Sequence, residues 1–230
     1  MYFQHSSEIW REYPELVPGV LFVDGIDRDV DVGPRIATFN ARAGERLAAA
    51  SEGEFPEIQA WRRAFSRMGL KPTQYRCASE SLLRRFRKEK ALPRIHPLID
   101  LCNSLSLAFA IPVAVFDVSR ITGNIEVRHA VGNENYLSFS GQVEHPDVGE
   151  VIFADDIGEA HARRWTNRQS ASSAIRETTT TALIVTEAMH ATASSDVEEL
   201  LAALSHELNA VWSVTPVIAI LKQSSPQFEF

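Results

Sequence analysis

The chain has 230 residues, 45% of them hydrophobic and 23% charged, with a formal net charge of −7. That length supports one large core, and the composition excludes disordered and fibrous classes. No run approaches the roughly 20 apolar residues of a membrane span and no charged-then-apolar leader opens the chain, so the expectation is a cytoplasmic protein.

In chain order, residues 1–7 (MYFQHSS) read as a tag or a disordered N-terminus and are left out of the fold, which leaves residues 8–230 as a single domain. VLFVDGI, residues 20–26, is an early core strand closed by an Asp-Gly turn. Ile58, Trp61, Phe65 and Met68 recur at helical spacing up to a stop at Gly69. A second helix begins near Ser79 with Leu82, Leu83 and Phe86 inward, and a third follows Pro97 with Leu98, Leu101, Leu105 and Phe109 as its stripe. The period then changes. VAVFDV (113–118) and IEVRHAV (125–131) read as a strand pair, and EVIFADD (150–156) with EAHARRW (159–165) as a hairpin. A Ser/Thr-rich approach leads into the buried strand ALIVTEA (182–188). A helix capped by Ser195 and a strand over 214–222 follow. Helices and strands do not alternate strictly, which favours an α+β fold of mixed β-sheets with packed helices.

The negative charge is unevenly spread. Between Trp61 and Arg94 there are eleven basic and two acidic residues, a local net charge of +9 that leaves −16 on the rest. A basic patch on an acidic body suits local contact with a phosphate backbone, and Arg84, Arg85, Arg87 and Lys88 are its densest part. The competing reading is a solvated helix face paired with the acidic remainder.

Several chemistries lack their motifs. There is no dinucleotide or phosphate-binding glycine loop, no HExxH and no GxSxG elbow. Cys77 and Cys102 fit two buried thiols, and the histidines show no metal-ligand spacing, so no metal and no cofactor is expected. The threonine run Thr178–Thr181 can offer hydroxyls to a ligand or cap an edge.

Two stretches resemble a known family. One begins SESLLRRFRKEKALPRIHPLIDLCNSLSLAFAIPVAVFDV at Ser79 and runs through the GNIEVRHAVG hairpin. It is similar to the part of the bacterial phenylalanyl-tRNA synthetase β chain in which an arginine-rich helix leads to a VDITNYV helix, a QPxHAFD strand and a GxIxVRxA hairpin. The matching points include Pro93, Asp100, Asn103, Pro112, Phe116, Asp117, Gly123 and Arg128. The second, GEVIFADD followed by SASSAIRETTTTALIVTEA, resembles LVIAD followed by SGVxxxTTNVLLESA. This is the B-three/B-four domain, which also occurs free-standing. The resemblance implies an α+β fold that receives the acceptor end of a mischarged tRNA and hydrolyses a wrongly attached amino acid. The chain also departs from the pattern: the histidine of HAFD is Ala114, and WTNRQS (165–170) replaces a glycine pair.

On this reading the protein is a trans-editing hydrolase of translation quality control, with tRNA and an amino-acid moiety as partners. Its alternatives are a non-catalytic module that binds an amino acid or a tRNA end, and an enzyme of amino-acid metabolism that acts without tRNA. Ester deacylation needs a placed water and a stabilised oxyanion rather than a nucleophilic triad. Asn103, Asp117 and Gln169 are the catalytic candidates, while Asn167, Arg168, Ser170, Thr179 and Glu187 are the substrate-binding ones. The glutamate of VLLESA, which reads a tyrosine hydroxyl in the family, corresponds to Glu187 or, with a short gap, to Val185. His96 and His129 are the general-base candidates.

Overall fold

The computed structural model describes all 230 residues. Twelve strands and six α-helices form two principal sheets and a small ribbon. The first sheet holds β1 (Tyr2–His5), β4 (Ile125–His129), β7 (Val151–Asp155), β8 (Ala160–Arg163), β9 (Arg168–Gln169) and β12 (Gln227–Glu229). Its strand order is β12-β1-β4-β7-β8-β9. The second has the order β11-β2-β10-β3, from β2 (Val17–Asp24), β3 (Val113–Asp117), β10 (Thr181–Ala188) and β11 (Val217–Ile220). β5 (Tyr136–Leu137) pairs with β6 (Val143–Glu144). The helices are α1 (Ser7–Glu12), α2 (Gly33–Ala49), α3 (Pro56–Arg67), α4 (Ala78–Glu89), α5 (Pro97–Phe109) and α6 (Ala193–Trp212).

The four-stranded sheet is buried on both faces, and β10 shows why. Successive side chains of a strand point to opposite faces. Leu183 and Val185 enter a core shared with Phe3, Val127 and Phe153 of the large sheet and with Trp61 and Phe65 of α3. Ala182 and Ile184 enter the other core, with Leu101 and Leu105 of α5 and Leu200 and Leu204 of α6. Glu187 has the parity of Leu183 and Val185, so the alternation carries a carboxylate into the inter-sheet core.

The α+β expectation holds, as do the helix that stops before Gly69, the one that starts near Ser79, the one that follows Pro97, and the β7–β8 hairpin. Other boundaries move. α6 starts at Ala193 on an N-cap at Thr192, with Ser195 inside the first turn. The strand expected over 214–222 shortens to Val217–Ile220, and a further strand not read from the sequence, Gln227–Glu229, follows it. α2 went unread because Ala43 is its one fully buried residue.

Two corrections bear on the site. β3 and β4 do not pair: β3 lies beside β10, whereas β4 runs parallel to β1 and antiparallel to β7. A 3₁₀ turn at Val118–Arg120 and the positive φ of Gly123 carry the chain from one sheet to the other. Residues 1–7, left out of the fold on sequence grounds, supply β1, an inner strand between β12 and β4 with Phe3 and His5 buried.

Arg163, itself buried, donates from Nε and Nη2 to Glu150 at 2.9 and 2.8 Å and from Nη1 to Glu144 at 2.7 Å. Burial raises the Glu150 carboxyl, but bonds and charge from Arg163 and Arg164 outweigh it, and the net shift is downward. Glu134 and Asp155 are lowered in the same way, by backbone N–H groups together with Arg128 and His161 respectively. Depressed folded-state values contribute stability that is present above the ordinary carboxylate range and lost as pH falls through the lower values. Thermal midpoints are therefore expected to hold from neutrality down to about pH 5 and fall below it. Glu150→Gln should lower the neutral midpoint and flatten the acid limb, as differential scanning calorimetry across pH would show.

Candidate functional site

The pocket that matters lies where β10, β3 and the β8–β9 turn meet. Pro112, Ala114, Phe153, Ala162 and Val185 give it apolar walls, and Ala114 stands directly across the ladder from Val185. Thr166, Asn167, Arg168, Gln169 and Glu187 are its polar groups. Its interior is about 60 Å³, several times the roughly 10–15 Å³ that one water needs. A small side chain or an ester group fits.

Glu187 is 2% exposed and held from three sides. His5 Nε2 lies 2.6 Å from its Oε1, Trp165 Nε1 donates to the same oxygen at 2.8 Å, and Trp61 Nε1 donates to its backbone oxygen at 3.2 Å. These bonds fix the carboxylate and leave Oε2 without a protein donor. A buried carboxylate tolerates its surroundings only when hydrogen-bonded, and this one is half satisfied.

Trp165 reaches Glu187 through an unusual turn. Arg164 and Trp165 both have positive φ, 46° and 57°, in a region costly for residues with a Cβ. The Arg164 N–H donates to Glu150 at 2.9 Å, and the Trp165 N–H to the Val151 carbonyl at 2.7 Å. The indole, wholly buried, packs edge-on against Tyr13 and Trp61 at 4.7 and 5.2 Å between centroids. WTNRQS is thus not merely bulky: its tryptophan forms the wall that orients the carboxylate.

Of the residues proposed from sequence, Asn167, Arg168, Gln169 and Glu187 gather in this pocket. Asn167 donates to the Arg76 carbonyl and Gln169 to the Val115 carbonyl, so both amides present an acceptor oxygen. Arg168 is tied to Glu144 at 3.2 Å and lies over the Tyr136 ring. The others lie elsewhere. Asn103 lines a separate depression with Asn40, Arg94 and Asp100. Asp117 is occupied by the Ser119 N–H, the Ser119 hydroxyl and the Thr179 hydroxyl at 3.0, 2.6 and 2.7 Å, which makes both Asp117 and Thr179 strand-end fasteners. Ser170 is buried and donates to the Leu137 carbonyl. His96 caps α5 through Nδ1, and His129 bridges Gly149 and Glu12, so neither faces the pocket.

Four site groups escaped the sequence reading: His5, Trp61, Trp165 and Thr166. His5 and Trp61 lie 182 and 126 residues from Glu187, and no local signal links them to it. Thr166, inside a segment already singled out, has a buried hydroxyl with no partner. Two apparent nucleophile systems are inert. His161 lies 2.9 Å from Ser173 and 3.4 Å from Asp155, but His161 and Ser173 are wholly buried. Burial pushes the Cys77 thiol up to about 11 and raises Cys102 as well.

The basic segment is partly neutralised. Glu52 binds Arg84 and Arg87, Glu80 binds Arg62 and Arg76, and Arg85 pairs with Glu89 one turn away. Lys88 is the one member of the predicted quartet without a carboxylate partner. No helix of the molecule is long and apolar enough to cross a membrane.

Known proteins share the fold or part of the sequence. An N-terminal fragment of the phenylalanyl-tRNA synthetase β-subunit from Pyrococcus horikoshii superposes with a TM-score of 0.50 at 9% identity, covering 96% of this chain and 54% of that one. The phenylalanine–tRNA ligase β subunit of Cereibacter sphaeroides is 32% identical over 62 residues, and that of Rhodopseudomonas palustris 34% over 64. These alignments take in 27% and 28% of this chain but span only 8% of each relative. The model of the B3/4 domain matches residues 60–202, and the chain belongs to that family.

Proposed function

We propose that the protein deacylates a mischarged aminoacyl-tRNA in trans, with the aminoacyl group in the Glu187 pocket. The observation that carries this reading is a carboxylate fixed at Oε1 by His5 and Trp165, with Oε2 unspent, in an otherwise largely apolar pocket. Such a group accepts a hydrogen bond from the α-ammonium or a hydroxyl of the aminoacyl moiety and so places the ester. The acceptor oxygens of Asn167 and Gln169 can orient the attacking water, and the Thr166 hydroxyl can donate to the developing oxyanion. Hydrolysis then adds water across the ester: its oxygen joins the carbonyl carbon, and the tRNA hydroxyl leaves with a proton. A protein with this role works where charged tRNA is, in the cytoplasm.

A panel of tRNAs mischarged with small and hydroxylated amino acids tests the proposal. Accelerated deacylation of at least one is expected. A charge-assisted hydrogen bond is worth about 1.5–3 kcal/mol, so Glu187→Gln should slow that turnover about 10- to 100-fold. No acceleration across the whole panel defeats the hydrolase reading. Ala114 in the pocket wall, where the family motif carries histidine, favours one second reading, a binding module without turnover. Its signature is saturable aminoacyl-tRNA binding with an intact ester.

For the nucleic acid, Lys88 together with the exposed, unpaired Arg63 makes the cleaner probe. Lys88→Glu and Arg63→Glu should each weaken tRNA binding and reduce the slope of log affinity against log salt by about 1. Unchanged affinity and slope in both variants would point instead to amino-acid chemistry without tRNA.

A further inference from the structure

At the far end of β10, three residues past Glu187, a second group of side chains converges. Glu57 comes from the first turn of α3, His190 from the loop after β10, and Asp196 from the first turn of α6. One ligand-competent atom from each lies within 4.8 Å of the others. His190 and Glu57 are buried side chains, 3% and 10% exposed.

Their hydrogen bonds leave a specific remainder. His190 Nε2 is 2.7 Å from Asp196 Oδ2, so these two ligand-competent atoms face each other across a shared proton that a cation can displace. Nδ1 is buried and has no partner. Arg46 donates to Glu57 Oε1 at 2.7 Å, while Oε2 is likewise buried and unpartnered. A buried carboxylate oxygen without a donor is rare enough to require a cause.

We propose that Glu57, His190 and Asp196 hold a divalent transition-metal cation, with Zn²⁺ the ion that one imidazole and two carboxylates suit best. Metal–ligand bonds of about 2.0–2.2 Å set tetrahedral ligand atoms roughly 3.4 Å from one another, so His190 Nε2 and Asp196 Oδ2 part slightly, the Glu57 carboxylate closes on them, and water takes the fourth position. Arg46 holds the Glu57 carboxylate, and Thr192 donates to Asp196 at 2.7 Å. The cation ties α3, the end of β10 and α6 together. Spacing along the chain gives no hint of it, since Glu57 lies far from the other two in sequence.

The test is titration of chelator-treated full-length protein with Zn²⁺, followed by calorimetry, and with Co²⁺, followed by its visible absorption. One equivalent should bind, and the melting temperature should rise about 5–10 °C at a hundredfold excess of free Zn²⁺ over Kd. Glu57→Gln and His190→Asn should each weaken binding at least tenfold while melting cooperatively in chelator. Absence of saturable uptake, or equal affinity in both variants, overturns the proposal. Should a variant fail to fold, X-ray absorption of the Zn²⁺-loaded wild type decides: an imidazole and oxygen shell supports the site, and a shell without imidazole overturns it.

Discussion

Deleting residues 1–6 is expected to abolish cooperative folding or to lower the melting temperature by more than about 15 °C. β1 is flanked on both sides, antiparallel to β12 and parallel to β4, so its removal strips hydrogen bonds from two neighbours and frees the C-terminal strand. Phe3 is completely buried and stacks on Phe153 at 6.0 Å, and loss of a buried Phe side chain alone costs about 3–5 kcal/mol. His5 leaves with it, which takes from the buried Glu187 a hydrogen bond to a charged group worth about 1.5–3 kcal/mol. Against a typical total of about 5–15 kcal/mol, these terms consume most of the stability. At this chain length about 1 kcal/mol moves the midpoint by roughly 2–4 °C, so even partial additivity gives the stated shift. A urea or thermal midpoint within about 2 °C of the full chain would show that β1 is dispensable. Phe3→Ala and His5→Ala separate the packing loss from the loss at Glu187.

That experiment probes the place where sequence reading failed most clearly, and the reason is physical. YFQH is four residues long, too short for its alternation to stand out, and its partners Ile125–Val127 and Gln227–Glu229 lie more than a hundred residues away. β10 was legible for the opposite reason: Ala182–Val185, buried on both faces, leave an unbroken apolar stretch in the sequence. Strand existence was therefore readable at Val113–Asp117 and Ile125–His129, but their pairing was not, because the partner of the second strand is β1. The site divides along the same line. Glu187 and the 167–169 segment were reachable through the family motifs, whereas His5 and Trp61 act on Glu187 across most of the chain. Charge behaved similarly. The basic run is plain in the sequence, but the carboxylates that quench it, such as Glu52 on Arg84 and Arg87, come from an earlier turn.

Trp165→Ala is the second substitution with a large expected effect, and it acts on stability and on the pocket together. The indole is wholly buried between Tyr13 and Trp61, so truncation removes its transfer energy and leaves a cavity, about 3–5 kcal/mol or roughly 6–20 °C in melting temperature. It also removes the Nε1–H bond to Glu187 Oε1, leaving His5 as the single side-chain donor to that carboxylate. The positive φ at residue 165 gives no relief, since alanine carries the same Cβ penalty there as tryptophan. Trp165→Phe keeps most of the packing and loses only the donor, so it should cost less than the alanine variant. Difference in pocket size then becomes a functional readout. The space vacated in Trp165→Ala adjoins the pocket wall, so the variant should accept a bulkier aminoacyl group than wild type while its grip on small ones weakens with the loosened Glu187. A loss of stability under about 1 kcal/mol with unchanged aminoacyl preference would mean that Trp165 neither supports the core nor shapes the pocket.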